Sequence, residues 1–246
     1  MTVAPSEIVV VSYNLRSLRD SPSASASVVA HLGADVALLQ ETPRFLRWRS
    51  RLAGWSRRAG LFYAAGGGDA GGVAVLAGLR LDVEATSVIA LTPHRGRHRR
   101  ALAVTVTRYG NRRLLALSAH LSLDAEERAG HLLEIAGHLD RLRTEHRPDV
   151  VMLGADVNEP AGGPTWQGLA AAGLQDSCDL VARASTGQAA TGPTFPAAAP
   201  TRRIDAIFLT GRVEVLEAGV PTQPAASPAY AVASDHVPVL ARLRLV

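Results

Sequence analysis

The chain has 246 residues, of which 47% are hydrophobic, so it can bury a substantial core in one large domain or two small ones. Its formal net charge is +4, and all 26 basic residues are arginine, whose forked side chain suits phosphate oxygens. The single cysteine, Cys178, excludes an internal disulfide and cysteine-based zinc or iron–sulfur sites. No apolar run approaches the ~18 residues of a membrane span, and the N-terminus lacks a signal-peptide pattern, so we expect a soluble cytoplasmic protein.

The first third of the chain alternates between strand and helix patterns. Strands are predicted over Glu7–Tyr13 and Asp35–Gln40, where β-branched and other apolar residues run together. Helices are predicted over Ser21–Leu32 and Pro43–Leu52, each with a proline near its first turn. The segment Gly66–Gly72 is predicted to be a flexible turn.

Four strands are predicted to follow in quick succession, and the tripeptide Tyr109-Gly110-Asn111 between the last two is a hairpin signal. Their ranges are Val73–Ala77, Val83–Leu91, Ala101–Arg108 and Arg113–Ser118. This density of strands favours a fold dominated by sheets.

The strongest helix pattern covers Asp124–Thr144, with Asp124 as the cap and Glu127 at the third helical position. Its buried stripe is predicted to consist of Leu132, Ala136, Leu139 and Leu142. The spacing of His131, Glu134 and His138 resembles a metal-ligand pattern, but we expect these three side chains to lie on the exposed face.

The last third returns to strands, with one short helix and one loop. The helix is Pro164–Ala172, residues 183–201 are predicted to be a loop, and the strands are Val150–Leu153, Ile204–Leu209, Val213–Gly219 and Val239–Leu245. No shift in composition marks a boundary, so residues 1–246 are predicted to form a single α/β (α+β) domain of mixed sheets covered by helices.

Polar side chains follow several of these strands at the point where each strand ends. Asn14 ends the first strand, Glu41 follows the second, and His120 follows the strand that begins at Arg113. Taken singly, Asn14 fits a turn, Glu41 fits a helix start, and His120 is a weak signal that could stabilise a phosphoryl oxygen as an imidazolium. Carboxylates, amides and imidazoles that meet at one sheet edge suit a divalent cation and a phosphate ester.

Two later motifs strengthen this interpretation. Asp156 and Asn158 occupy alternate positions after an apolar strand, so an extended backbone would direct both side chains to one side. Asp205 lies inside the predicted strand Arg203–Leu209, and a buried carboxylate there needs a partner. His236 is the natural candidate, because Asp205 would fix its tautomer and raise its basicity.

In chain order these groups are Asn, Gln-Glu, His-Leu, Gly-x-Asp-x-Asn, Arg-Ile-Asp and Ser-Asp-His-x-Pro, from Asn14 to His236. This order resembles that of the endonuclease/exonuclease/phosphatase (DNase I-like) superfamily, which includes nucleases, sphingomyelinases and inositol phosphatases. The resemblance implies a four-layer αββα sandwich of two mixed sheets. It also implies that Glu41 is the main ligand of Mg²⁺ (or Mn²⁺), with Asn14 and Asp235 in support.

The same resemblance implies roles for the remaining residues. Asp156 and Asn158 would position the nucleophile and the scissile phosphate, and His236, backed by Asp205, would activate water or stabilise the phosphorane. Two departures are visible: Ala155 stands between Gly154 and Asp156, which should change only the preceding turn, and His120 stands where exonuclease III-like enzymes usually have a tyrosine.

The densest basic run of the chain, Arg95–Arg100, is either a solvated loop or a contact for phosphate. The predicted substrate contacts are Arg99 and Arg100 from this run, together with Asn14 and Asn158. Three functions remain open at this point: a DNase I-like nuclease or phosphodiesterase, a phosphatase or phosphodiesterase acting on a small molecule or lipid headgroup, and a non-catalytic binding module. We expect a monomer that acts on a phosphate ester, with nucleic acid as one possible substrate.

Overall fold

A computed structural model of the protein describes residues 6–183, 188–221 and 227–246. The helices are α1 (Pro22–His31), α2 (Trp48–Arg58), α3 (Ala125–His146), α4 (Pro164–Ala171), α5 (Ser177–Arg183) and α6 (Ser227–Ala233). The strands are β1 (Glu7–Asn14), β2 (Val36–Gln40), β3 (Phe62–Gly66), β4 (Ala74–Ala77), β5 (Asp82–Ala90), β6 (Ala101–Tyr109), β7 (Arg112–His120), β8 (Val150–Asp156), β9 (Gln175–Asp176), β10 (Gln188–Ala190), β11 (Asp205–Gly211), β12 (Val213–Gly219) and β13 (Val239–Leu245).

The strands within these described ranges form two mixed sheets. One sheet has the order β10-β12-β13-β1-β2-β4-β3, and the other has the order β5-β6-β7-β8-β11-β9. In the first sheet β1 is parallel to β2 and antiparallel to β13, and in the second β8 is parallel to β7 and antiparallel to β11. The central strand of the first sheet is therefore β1, and the central strands of the second sheet are β7 and β8.

Alternate residues of each central strand face two different apolar layers. Val10 of β1 and Ala116 of β7 belong to the core between the two sheets. Val11 points the other way into a cluster with α1, α2 and α6, and Leu117 points into a cluster with α3 and α4. Burial on both faces explains why these strands are continuous apolar runs in the sequence. The arrangement confirms the predicted four-layer αββα sandwich.

The two sheets approach each other closely at Gly154. A Cβ atom added to Gly154 would lie 2.5 Å from the Cβ atom of Leu38 in the facing sheet, so only glycine fits there. Gly154, Ala155 and Asp156 all belong to β8. The prediction that Ala155 alters a turn before Asp156 is therefore wrong, because the strand runs straight through these residues.

The second helix is displaced from its predicted range, Pro43–Leu52, and begins at Trp48 and ends at Arg58. Thr42 donates its backbone N–H and its hydroxyl to the Gly72 carbonyl, at 2.8 and 3.0 Å, which holds the preceding segment on the glycine-rich turn. Trp48 packs directly on Gly67, where an added Cβ would lie 2.2 Å from the indole ring. Tertiary contacts with the turn override the helix-start signal of the proline.

The structure also contains elements that the sequence patterns did not indicate, namely β3, β9, α5 and α6. In the predicted loop 183–201, residues 184–187 lie outside the described ranges, and β10 pairs in parallel with β12. No described helix is long and apolar enough to cross a bilayer. The single-domain and monomer assignments stay predictions.

The longest helix, α3, presents a different face to the core from the one predicted. Leu139 and Leu142 are buried as expected, but Leu132 and Ala136 are only half-buried. His131 is fully buried, so the prediction that its face is exposed is wrong. His131 belongs to the buried stripe of α3 because the loop before β6 covers the side of the helix on which His131 lies.

Candidate active site

The candidate site is the polar end of the core between the two sheets. On the inner face of β1 the side chains change from apolar to polar along the strand, and Val10 is followed by Ser12 and Asn14. The same change occurs at the ends of the neighbouring strands, where the inner-face positions are occupied by Gln40, His120, Asp156 and Asp205. Because alternate residues share one face of a strand, all of these side chains point into the same space.

A layer of hydrogen-bonded polar side chains separates the site from the apolar core. The Gln40 side-chain amide donates to Ser12 Oγ at 3.3 Å and to Ser118 Oγ at 3.1 Å. Ser118 Oγ in turn donates to the Leu39 carbonyl at 2.7 Å. These bonds link the strands of both sheets directly beneath the site, which fixes the relative positions of their ends.

Strand register brings the three ionisable groups of the second sheet into one row. Asp156 is paired with His120 across the parallel β7–β8 ladder and with Asp205 across the antiparallel β8–β11 ladder. Asp205 is the first residue of β11, so its predicted place in the interior of a strand is wrong. Asn14 of the facing sheet completes the cluster, since its side-chain amide donates to Asp156 Oδ2 at 2.9 Å.

His236 binds Asp205 as the sequence predicted. Its Nδ1 lies 2.9 Å from Asp205 Oδ2, and its Nε2 lies 3.8 Å from Asp156 Oδ2. The ring of Phe195 packs on the imidazole with centroids 4.8 Å apart. The hydroxyl of Thr194 accepts hydrogen bonds from the backbone N–H groups of Ile204 and Asp205, at 3.1 and 3.3 Å. These contacts leave Nε2 as the nitrogen that faces Asp156.

Asp156 is the centre of the cluster, and it is 1% exposed. Burial and the charge of Asp205 raise its pKa to about 7, although His236 and the hydrogen bonds from Asn14 and Asn158 act in the opposite direction. A carboxylate with this pKa changes protonation state near neutral pH. It can therefore take up and release a proton under working conditions.

His236 is held in its charged form. Burial alone would lower the pKa of its imidazole, but the carboxylates of Asp205 and Asp156 outweigh burial and raise that pKa to about 9. At neutral pH the ring is an imidazolium whose Nδ1–H donates to Asp205 and whose Nε2–H faces Asp156 and the cavity. It acts as a hydrogen-bond donor in this state.

His120 is neutral, contrary to its predicted role as an imidazolium. Burial, followed by the charges of Arg100 and His236, holds its pKa well below the ordinary value. The Asn158 amide donates to the Leu121 carbonyl at 2.9 Å and lies 3.0 Å from His120 Nε2. Because an amide N–H only donates, Nε2 of His120 is the accepting nitrogen. His120 therefore orients Asn158.

Asn158 reaches the site through a turn rather than through an extended segment. Its backbone has a φ of 54°, and its N–H donates to Asp156 Oδ1 at 3.0 Å. The predicted convergence of the two side chains is confirmed, but the predicted strand geometry is wrong. Asparagine tolerates this left-handed conformation better than most residues do.

Glu41 stands at the end of β2 with a backbone φ of 45°, a conformation that costs a non-glycine residue roughly 1–3 kcal/mol. Its carbonyl accepts a hydrogen bond from the Ser17 N–H at 2.6 Å. Its carboxylate lines the cavity and has neither a hydrogen bond nor an ion pair with any described residue. An unpaired carboxylate in the cavity that Asp156 also lines is a fitting ligand for a hard divalent cation.

The other two predicted metal ligands already have protein partners. Asn14 Oδ1 accepts from the Arg16 N–H at 3.0 Å while its amide group holds Asp156. Asp235 Oδ2 lies 3.2 Å from Arg16 Nε, at the half-buried rim of the cavity. Asn14 is therefore tied to Asp156, and Asp235 is tied to Arg16.

A cavity of about 470 Å³ opens above the cluster and is lined by Glu41, Asn158, Asp235 and His236. Its wall is basic, with side chains from Arg19, Arg44, His98, Arg100 and Arg202. Arg100 was a predicted contact, whereas Arg99 lines an adjacent groove with Arg44 and Phe45. No sequence pattern indicated Arg19, Arg44 or Arg202. Their only signal was proximity along the chain to Asn14, Glu41 and Asp205.

The αββα sandwich is the fold of the DNase I-like class. Residues 11–236 match the profile of the Endonuclease/Exonuclease/phosphatase family, and the chain belongs to that family. A comparison with curated protein sequences finds no match.

Several solved structures share the fold over nearly the whole chain. A family protein from Bacteroides thetaiotaomicron superposes with a TM-score of 0.78 at 20% identity, covering 99% of this chain and 100% of that chain. The mannosyl-6-phosphatase Bt3783 from the same organism has a TM-score of 0.78 at 20% identity, with 97% and 99% coverage. TDP2 from C. elegans has a TM-score of 0.71 at 18% identity, with 97% and 75% coverage.

Proposed function

We propose that the protein hydrolyses a phosphate ester by in-line attack of water, with the help of Mg²⁺ or Mn²⁺. The observation that carries this proposal is Asp156, a buried carboxylate that lies between two histidines at the base of a basic cavity and accepts hydrogen bonds from two asparagines. A proton acceptor beneath a ring of arginines fits an anionic substrate whose reaction needs an activated water.

Glu41 would hold the divalent cation, because its carboxylate faces the cavity without a protein partner. A bound Mg²⁺ or Mn²⁺ would neutralise charge that develops on the phosphoryl and leaving oxygens. The left-handed backbone of Glu41 supports this role, since strained backbone is concentrated at functional sites.

The protein side chains would divide the proton chemistry between them. Asp156 would take a proton from the attacking water, because its pKa of about 7 leaves it largely ionised just above neutral pH. His236, charged below a pKa of about 9, would donate its Nε2–H to a phosphoryl oxygen. Asp205 holds His236 in the tautomer and orientation that this contact needs.

The basic wall suggests a phosphate group that enters the cavity from one end. Five side chains from Arg19, Arg44, His98, Arg100 and Arg202 converge on a single cavity, which favours a small or terminal phosphate ester. A nuclease is the second candidate, and the groove with Arg99 beside the cavity favours it because a polynucleotide could extend there. One structural neighbour, Bt3783, is a mannosyl-6-phosphatase, which is compatible with the first candidate.

A substrate panel tests the proposal. Purified protein with Mg²⁺ or Mn²⁺ would be offered p-nitrophenyl phosphate, bis-p-nitrophenyl phosphate, sugar phosphates, lipid and inositol phosphates, plasmid DNA and RNA. We expect release of product from at least one ester and its loss with a chelator. Chelator-insensitive hydrolysis would contradict the metal requirement, and no hydrolysis of any ester would favour a binding module.

The rate of hydrolysis is expected to have a bell-shaped dependence on pH. The rate should rise as Asp156 loses its proton near pH 7 and fall as His236 loses its proton near pH 9. The rise and the fall of the rate with pH report apparent pKa values of the interacting pair Asp156 and His236, and not of either residue alone. The measurement is kcat against pH at saturating cation, and a flat profile over this range would contradict the roles of both residues.

Replacing Arg44 with glutamine is expected to raise KM about tenfold with a smaller effect on kcat, because one charge-assisted contact to phosphate is lost. Arg44 lines the cavity, whereas Arg58 is exposed on α2 and serves as the matched control. Steady-state kinetics of Arg44→Gln and Arg58→Gln would be compared. Equal KM values for the two variants would contradict a contact between Arg44 and the substrate.

A further inference from the structure

A second cluster of metal-binding side chains lies outside the active site, where the loop of residues 91–100 crosses α3. His94 on the loop and Glu127 and His131 on α3 each offer one ligand atom, and these atoms lie within 4.8 Å of one another. Glu127 and His131 are one helical turn apart, so both side chains project from the same side of the helix.

His131 has the hydrogen bonding expected of a metal ligand. The ring is fully buried, and its Nε2 lies 2.9 Å from the Thr92 carbonyl oxygen. A carbonyl oxygen only accepts, so Nε2 carries the hydrogen and Nδ1 of the neutral ring carries the lone pair. Nδ1 has no partner among the described residues. Histidines that bind metals usually donate their other N–H to a carbonyl or carboxylate in this way.

Glu127 also has one unused ligand atom. The residue is 1% exposed, and its Oε2 accepts from Ser122 Oγ at 2.7 Å and lies 3.4 Å from an Arg97 nitrogen. Its Oε1 lies 4.0 Å from His131 Nε2 and has no hydrogen bond with a described residue. Two buried polar atoms without partners on one helix turn are costly unless a ligand satisfies them.

His94 closes the cluster from the solvent side. Its ring packs edge-on to the His131 ring, with centroids 5.6 Å apart and planes at 86°. Ligand atoms on one Zn²⁺ stand roughly 3–4 Å apart, whereas those of this cluster lie within 4.8 Å of one another, so the exposed His94 ring and the Glu127 carboxylate need to turn toward His131 Nδ1 to complete the set. The rest of the loop is already tied to α3, because Glu134 accepts from the Thr92 N–H at 2.9 Å.

We propose that His94, Glu127 and His131 bind a transition-metal cation of the Zn²⁺ type, separate from the cation of the active site. Two imidazole nitrogens and one carboxylate oxygen suit Zn²⁺, whereas Mg²⁺ prefers oxygen ligands alone. The ion would fasten to α3 the loop that carries His98 and Arg100 into the active cavity. Its role is structural, since it fixes the position of two substrate-facing side chains.

Zinc binding by the purified protein tests this proposal without any assay of activity. The wild type would be titrated with Zn²⁺ against a chromophoric chelator, in excess Mg²⁺, beside Glu41→Gln, His94→Ala and His138→Ala. We expect one tight Zn²⁺ per chain in the wild type, in Glu41→Gln and in the control His138→Ala. His94→Ala should bind Zn²⁺ roughly 100-fold more weakly, and Zn²⁺ should no longer raise its Tm.

His94 is the diagnostic residue because it is exposed, so its replacement leaves the buried stripe of α3 unchanged. Absence of tight binding in the wild type would overturn the proposal, as would wild-type affinity in His94→Ala. Loss of the tight site in Glu41→Gln would instead assign the zinc to the active cavity and also overturn it. None of these outcomes depends on whether the protein hydrolyses a phosphate ester.

Discussion

Replacing Asp156 with asparagine is expected to lower kcat by roughly 1,000-fold, because general-base catalysis contributes about 100- to 10,000-fold. Asparagine has nearly the same shape as aspartate and can still accept the hydrogen bond from the Asn158 N–H. It cannot take a proton from water. Single-turnover rates at saturating cation would measure the loss, with Asp140→Asn, at an exposed position on α3, as the control.

The stability of the Asp156→Asn variant provides an independent check on the raised pKa. A carboxyl group whose pKa is higher in the folded state contributes stability below its unfolded pKa of 3.8, and this contribution is lost as pH rises to about 7. The wild-type Tm should therefore fall relative to the variant over that window. An unchanged difference in Tm, or a wild-type rate in the variant, would refute the role of Asp156.

Replacing His236 with asparagine is expected to lower kcat by roughly 100- to 1,000-fold, because the hydrogen bond from Nε2 to the phosphate is lost. The asparagine amide reaches the position of Nδ1 and can still donate to Asp205. His236→Ala removes that donor as well and leaves a buried carboxylate unpaired, which costs about 3–5 kcal/mol. Thermal unfolding of both variants would separate the two effects.

A matched control is available in His31, which is exposed at the end of α1. His31→Asn should retain the wild-type rate and Tm. The pairing of His236 with Asp205 would be contradicted if His236→Asn and His236→Ala lost the same stability. A wild-type rate in His236→Asn would contradict a role for the Nε2 atom of His236 in the reaction.

The sequence predicted which strands deliver the site because each apolar run ends in a polar residue. Asn14, Asp156 and Asp205 lie on inner faces at the ends of neighbouring strands, and the predicted contact between Asp205 and His236 is present at 2.9 Å. The local sequence pattern was sufficient to predict these positions, because the alternation of side chains along a strand decides which face of the sheet each one occupies.

The sequence did not predict the charge states, because these depend on residues far apart along the chain. His120 is neutral since burial and the charges of Arg100 and His236 act on it together. The start of α2 was also misplaced, because Trp48 packs on Gly67 in a distant turn. Isolated arginines such as Arg202 have no local pattern that connects them with a cavity.

Hydrolysis in oxygen-18-labelled water tests most directly whether water activated at Asp156 attacks phosphorus. The best substrate from the panel would be hydrolysed under single-turnover conditions with Mg²⁺, by the wild type and by Asp156→Asn. We predict that the wild type places the label in the phosphate product and that the variant produces almost none within the same time. Label in the alcohol product, or equal labelling of phosphate by both proteins, would contradict the proposed mechanism.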